Sequence, residues 1–377
     1  MQRQKHNLSN YRLTTIDMGK LVPVQMQEVL PGDSMQLETN ALVRCSPMLA
    51  PVMHPTTIRF HHWFVPARIL WEEWEDFITG GQDNDNADTI PQIVLTEEMI
   101  ESGLPDYFGI PPVVGLSINA LPFRAYNKIF NEFYRDQDIV EEVTEDTIEV
   151  QNVAWGKDYF TASRPWAQKG NDLKLPIGEL APVVGLGVDP ALVTTSGPLS
   201  VVESSGQTVS YGKYTQTATG TVGAKTYVER SDAGLPKVYA DLSHATGVTA
   251  IEFREFFALQ RYAEARSRYG SRYSEYLRYL GVNPSDARLQ RPEYLGGGKS
   301  QLQFSEVVTS SQAGSTGDPV GTLKGHGISA LRTRRTRKYF EEHGYVITLM
   351  SVVPKSLYQD GVARTWLKED KEDFFQK

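Results

Sequence analysis

The chain is poor in the features that usually announce chemistry. Its 377 residues include one cysteine, Cys45, which excludes an internal disulfide framework and a cysteine-rich zinc site. No apolar run reaches about 18 residues, so no membrane-spanning helix and no membrane insertion are expected. The start, Met1-Gln2-Arg3-Gln4-Lys5-His6, leads into polar residues, and no cleaved secretory signal is expected. Positive charge is also short. Lys and Arg number 38 against 46 Asp and Glu, which gives a net charge of −8 and a pI of about 5.5. A surface that grips nucleic acid everywhere is thereby excluded, although a local basic face is not.

What is present points to a folded, turn-rich chain. Hydrophobic residues make up 40% and charged residues 22%, too apolar for general disorder. Glycine, proline and tyrosine, at 31, 21 and 18, favour turns and amphipathic contacts in a β-containing protein.

Residues 1–19 are polar and mixed, and read as an extended arm. Val22, Val24 and Met26 then alternate with polar neighbours, the pattern of a half-buried strand. Pro31-Gly32-Asp33 signals a turn. Met35, Leu37, Thr39, Ala41 and Val43 alternate again, which predicts a second strand paired with the first as a hairpin. Ile58, Phe60, His62 and Phe64 mark a third strand. The period then changes. Leu70, Trp74, Phe77 and Ile78 form a helical stripe ended by Gly80-Gly81, and residues 82–91 read as a loop. Residues 118–135 predict another helix, with Tyr126, Ile129, Phe130 and Phe133 on one face and Pro122 near its start.

Residues 185–235 are rich in Ser, Thr, Gly and Val. They predict short strands joined by glycine turns, an excursion from the main body; a flexible linker is the alternative, against which Val209, Tyr211, Tyr214, Val222 and Tyr227 speak. Thr249-Ala250-Ile251-Glu252 is a capping box. It opens a helix carrying Phe253, Phe256 and Phe257, followed by a second helical piece with Tyr273, Tyr276 and Leu280 on one face. Residues 281–330 read as loop-rich. Tyr345 to Val353 is a β-branched, apolar run ending at Pro354, a strand buried on both faces.

Catalytic signatures fail on inspection. Gly296-Gly297-Gly298-Lys299-Ser300 resembles the tail of a phosphate-binding loop, but Glu293 stands where glycine is needed and would repel phosphate. The stretch reads as a flexible loop instead. His61 and His62 face opposite sides of a strand and cannot share a metal. With His54 they read as core or interface histidines, and Cys45 reads as a buried, inert thiol. No nucleophile elbow is present, and Pro190 spoils the dinucleotide fingerprint that Gly185-Leu186-Gly187 begins. Neither an enzyme activity, a cofactor nor a metal is expected.

One charge feature does stand out. Arg332-Thr333-Arg334-Arg335-Thr336-Arg337-Lys338 places five cations in seven residues of an acidic protein. Clustered charge is all that sequence-blind phosphate binding needs, and Tyr339 and Phe340 offer stacking surfaces. A solvated loop, or ion pairs to neighbouring subunits, is an equal alternative. Arg3 and Lys5, with His6, are a weaker second nucleic-acid-binding candidate.

Four blocks resemble one family. They are Phe64-Val65-Pro66-Ala67-Arg68-Ile69-Leu70-Trp71-Glu72-Glu73-Trp74, Tyr159-Phe160-Thr161-Ala162-Ser163-Arg164-Pro165-Trp166, Ser285-Asp286-Ala287-Arg288-Leu289-Gln290-Arg291-Pro292-Glu293-Tyr294 and Glu341-Glu342-His343-Gly344-Tyr345-Val346-Ile347. With the Leu30-Pro31-Gly32-Asp33 turn, they resemble the major capsid protein of the Microviridae, small icosahedral single-stranded DNA phages, in its gokushovirus-like branch. The resemblance implies a mainly β fold: a viral jelly roll of two antiparallel sheets with long helical and loop insertions, forming a single capsid domain over 1–377. It implies a structural protein that self-assembles into a T=1 icosahedral shell around circular single-stranded DNA. Its expected partners are its own copies, the packaged DNA, other phage structural or scaffolding proteins and a host surface receptor. Its expected location is the virion, after assembly in the host bacterial cytoplasm. By position, 185–235 corresponds to the family's variable protrusion, a surface for host contact. The resemblance also implies a continuation past the strand at His343-Gly344 that supplies the last strands of the barrel; no strand pattern follows Val353 here, so either a truncated sequence or closing strands formed in an unusual way is expected. The competing function is a carbohydrate-binding or adhesive β-sandwich module, with the Tyr- and Trp-rich surface as its binding face.

Overall fold

A computed structural model of the chain describes residues 4–49, 52–80, 88–158, 249–269, 272–310, 319–358 and 360–374, with isolated short pieces between 160 and 240. Two compact units are distinguished: Met1–Pro165 together with Arg268–Lys377, and Trp166–Ser267.

The first unit begins with β1 (Leu21–Val29), β2 (Ser34–Leu37), β3 (Asn40–Arg44) and β4 (Thr56–Pro66). Then come α1 (Trp74–Thr79), β5 (Gln92–Val94), α2 (Glu97–Glu101), α3 (Leu104–Phe108), β6 (Ser117–Asn119) and α4 (Leu121–Ile129). The second unit contributes β7 (Val183–Val184), β8 (Thr195–Ser196), β9 (Leu199–Val202), β10 (Thr208–Tyr211), β11 (Thr215–Gln216) and β12 (Tyr239–Ala240), followed by α5 (Ala250–Tyr269). After α6 (Tyr273–Tyr279), β13 (Glu293–Val308), β14 (Leu323–Arg332), β15 (Thr336–Tyr339) and β16 (Gly344–Pro354) complete the first unit's strands.

Six strands form an antiparallel sheet in the order β1-β16-β4-β13-β14-β3, and β15 pairs separately with β2. β13 changes partner along its length: Glu293–Leu302 pair with β4, and Gln303–Val308 pair with β14. The architecture is mainly β, antiparallel and curled, as the jelly-roll expectation requires. β16 sits between β1 and β4 and is buried from Gly344 to Val352, in line with its continuous apolar run.

Alternation sorts the side chains of the central strands. Trp63, Val65, Ile347 and Leu349 pack toward a helical layer that includes Leu104, Leu121, Phe123, Tyr126 and Ile129. Ile58, Phe60, Leu302, Leu331, Met350 and Val352 make a second core, and Val29, Leu37, Phe64, Phe340 and Val346 make a third. Tyr126 is fully buried, and its hydroxyl donates to Leu21 O at 2.8 Å and accepts from Gln151 N at 2.9 Å. Burial pushes its phenol pKa up. Pro122 lies in the first turn of α4, where its missing N–H costs nothing. A single π-helical turn over Phe130–Tyr134 ends this helix and brings Phe133 to 4.1 Å from the Trp63 ring.

Several expectations are corrected here. β1 and the residues after it form no hairpin: β1 pairs with β16, while β2 and β3 pair with β15 and β14. Alternation identified the faces of these strands but carries no information about partners. The predicted second strand is also broken near Glu38-Thr39, where the chain turns from one sheet into the other. The loop-rich stretch 281–330 contains β13 and β14. The triple glycine is part of β13, not a loop. The stripe at 69–78 divides into a 3-10 turn at Ala67–Ile69 and α1, which ends at Gly80 in the left-handed region with φ +84°.

In the second unit the six strands pair as β12 with β7, β11 with β8 and β10 with β9. These pairings are nested in sequence, each pair enclosing the next. Most other residues of 185–235 lie outside the described residues. α5 opens with the predicted capping box, Thr249 N donating to Glu252 Oε2 at 2.8 Å.

Candidate nucleic-acid interface

The basic segment lies at a corner of the first unit. Arg332 ends β14, and the chain then crosses to β15. Thr333 fixes the corner. Its N–H donates to Thr39 O at 2.9 Å, and its hydroxyl accepts from Thr39 N at 2.8 Å. Both chains bend here together, because β2 and β3 turn where β14 and β15 turn.

The crossover runs over the triple glycine. A Cβ on Gly298 would lie 3.1 Å from Thr333 Cα, and one on Gly296 would lie 2.7 Å from Thr336 Oγ1. Gly297 has no room either, since its Cβ would meet the Phe60 carbonyl. Gly296 also has φ +142°, a conformation side chains disfavour. The glycines therefore let one backbone pass over another.

Arg332, Arg334, Arg335 and Arg337 are exposed, while Lys338 is partly buried. Arg332 forms an ion pair with Glu38, and Arg335 approaches the same carboxylate at 3.7 Å. Lys338 pairs with Glu293 at 2.7 Å. Arg334 and Arg337 have no ion-pair partner among the described residues. Two acids against five cations leave an excess of three positive charges. Arg334, Arg335 and Arg337, with Leu295, Gly296, Gly297 and Thr336, line an open groove of about 420 Å³. The sequence identified the cations. It could not identify Glu38, whose position is 294 residues from Arg332, nor the glycine floor beneath them.

The second candidate is not assembled with the first. Arg3 lies outside the described residues, and Lys5 is exposed in the irregular arm. That arm is tied down further on, where Arg12 donates to Asp106 O at 2.7 Å and Tyr107 to Thr15 O at 2.9 Å.

The histidines behave as alternation predicts. His62 is fully buried, with Nδ1 2.8 Å from Thr348 Oγ1 and Nε2 3.4 Å from Thr333 Oγ1. His61, on the opposite face, lies 2.6 Å from the Tyr134 hydroxyl. Burial lowers the pKa of both to about 4, with the charges of Arg59 and His62 adding to the effect at His61. They are neutral at neutral pH. Cys45 is only partly buried, although burial still raises its pKa.

The chain matches the family described as "Capsid protein (F protein)" over residues 1–376. It belongs to this capsid protein family. Its relatives include Capsid protein VP1 of Bdellovibrio phage phiMH2K, 33% identical over 99% of this chain and 73% of the relative. Capsid protein VP1 of Chlamydia phage 1 is 32% identical over 100% and 75%, and that of Spiroplasma virus 4 is 32% identical over 99% and 73%. Capsid protein F of Escherichia phage alpha3 is 23% identical over 36% of this chain. Membership of this capsid family assigns a structural, non-enzymatic role in a phage particle of the Microviridae.

Proposed function

We propose that the protein forms a T=1 icosahedral shell around a circular single-stranded DNA genome, and that the Arg332–Lys338 corner meets the DNA backbone. The observation that carries the DNA contact is the uncompensated charge at the corner, where Arg334 and Arg337 flank the glycine-floored groove without acids of their own. Phosphate recognition of this kind needs charge and access but no base reading. Arg3 and Lys5 add charge on the arm. Copies of the chain are the main partners, with other phage structural or scaffolding proteins contributing to assembly in the bacterial cytoplasm. Residues 185–235 form the surface that contacts the host receptor, and their deletion is expected to abolish host adsorption.

The test replaces Arg334 and Arg337 with Glu together. Particles are expected to assemble in near-normal yield but to carry less DNA, read as a lower absorbance ratio at 260 to 280 nm and slower sedimentation. Unchanged DNA content in full-yield particles would remove the corner from the packaging contact.

A further inference from the structure

A second cavity lies within the first unit, away from the arginine groove and sharing none of its residues. Its volume is about 310 Å³, at the small end of ligand pockets. It sits where the π-helical turn meets β4. Aromatic groups line it: His61, Phe133, Tyr134 and Trp155. Trp155, one of these lining residues, is 54% exposed.

The polar lining is unbalanced in what remains available. Lys157 is paired with Asp136, and Gln137 donates to Glu275. The carboxylates are therefore engaged. The donors are not all used. Arg135 Nε is buried without an acceptor among the described residues, although its Nη1 donates to Val140 O at 2.7 Å. Arg59, exposed at the rim, has no ion-pair partner among them. Arg272 contributes a third guanidinium, which donates to Asn131 O and stands 4.0 Å from Glu132. Burial lowers its pKa despite Glu132 and Glu275, and the Arg135 and Arg291 charges add to the lowering.

We propose that this cavity binds one nucleotide unit, its base against Trp155 and the aromatic lining and its phosphate on Arg59 and Arg135. An aromatic wall accepts the face of any base, and guanidinium groups supply charge-assisted bonds to phosphate. The same chemistry fits a free nucleotide or one residue of a single strand.

The test is calorimetric titration of the unassembled wild-type chain with thymidine 5′-monophosphate, deoxyribose 5-phosphate and hexathymidylate. One saturable site for the monophosphate is expected, with deoxyribose phosphate about tenfold weaker because it cannot stack. Trp155→Ala should weaken the monophosphate about tenfold and Arg59→Gln severalfold. Tighter hexathymidylate binding that still depends on Trp155 assigns the pocket to a DNA strand. Equal affinities assign it to free nucleotide. Equal binding of deoxyribose phosphate, or full affinity in Trp155→Ala, overturns the proposal. Photocrosslinking of 5-iodo-deoxyuridine monophosphate to the wild-type chain gives a readout independent of variant folding. Adducts at Trp155, Phe133 or Tyr134 support the pocket, and adducts confined to other peptides overturn it.

Discussion

Thr39 and Thr333, 294 residues apart, join two strand pairs at one corner through reciprocal hydrogen bonds. The backbone bond from Thr333 N holds the chains at their spacing. The hydroxyl satisfies Thr39 N–H and meets His62 on its other side.

Thr333→Val keeps the shape and removes that hydroxyl. Thr333 is 3% exposed, so the orphaned Thr39 N–H has little water to turn to. A loss of about 1–3 kcal/mol is expected, measured by urea unfolding of unassembled chains. Thr333→Ser should recover most of it. A valine variant as stable as wild type would show that the hydroxyl is not needed at the corner.

Acid should destabilise the fold through the two histidines on β4. Their folded pKa values of about 4 lie below the ordinary value of 6.5, so the unfolded chain takes up protons first. Their contribution is complete above pH 6.5 and is lost as pH falls toward and through 4. For His62 the loss is on the order of 3 kcal/mol. His62→Gln should flatten the stability curve between pH 6.5 and 4 relative to wild type. Parallel curves for the two proteins would contradict this.

Gly297→Ala should be strongly destabilising, because its methyl group runs into the Phe60 carbonyl of the paired strand. Overpacking of this kind costs about 1–3 kcal/mol or more. Gly361 has open space around it and no left-handed backbone, so Gly361→Ala should change the melting temperature little or raise it slightly. Scanning calorimetry of the two variants side by side makes the comparison. Equal melting temperatures would mean that β13 can move away from β4.

The sequence was most legible where one element's pattern depends on that element alone. The Tyr345–Val353 run, the Pro122 helix start and the Thr249–Glu252 capping box all appear in the structure. Partners were less legible. β1 reads as a strand from its alternation, but nothing in Val22, Val24 or Met26 distinguishes β2 from β16 as its neighbour. Gly296–Gly298 read as a loop because glycine is weak in strands, and the reason for it there, a crossing chain at Thr333 and Thr336, is distant in sequence. The helical layer hides a similar case. Asn127 and Asn131 hold residues 143–147 through four hydrogen bonds of 2.7 to 3.0 Å, although neither stands out from its neighbours. The cations were visible at once, and the acids that neutralise part of their charge were not.

The nested pairing in the second unit bears on loop-closure entropy. β4 must find β13 across Ala67–Pro292, and Trp166–Ser267 is less than half of that interval. Closure entropy grows only with the logarithm of length, so removing the whole unit would change it by less than about 0.6 kcal/mol. The strand pairs β7 with β12, β8 with β11 and β9 with β10 share no residue with the register of β4 and β13. The length of the segment is thus almost neutral for the sheet. Residues can be gained or lost between β9 and β10 at little thermodynamic cost, and this is where the chain has freedom to diversify while the strands of the six-stranded sheet stay in register.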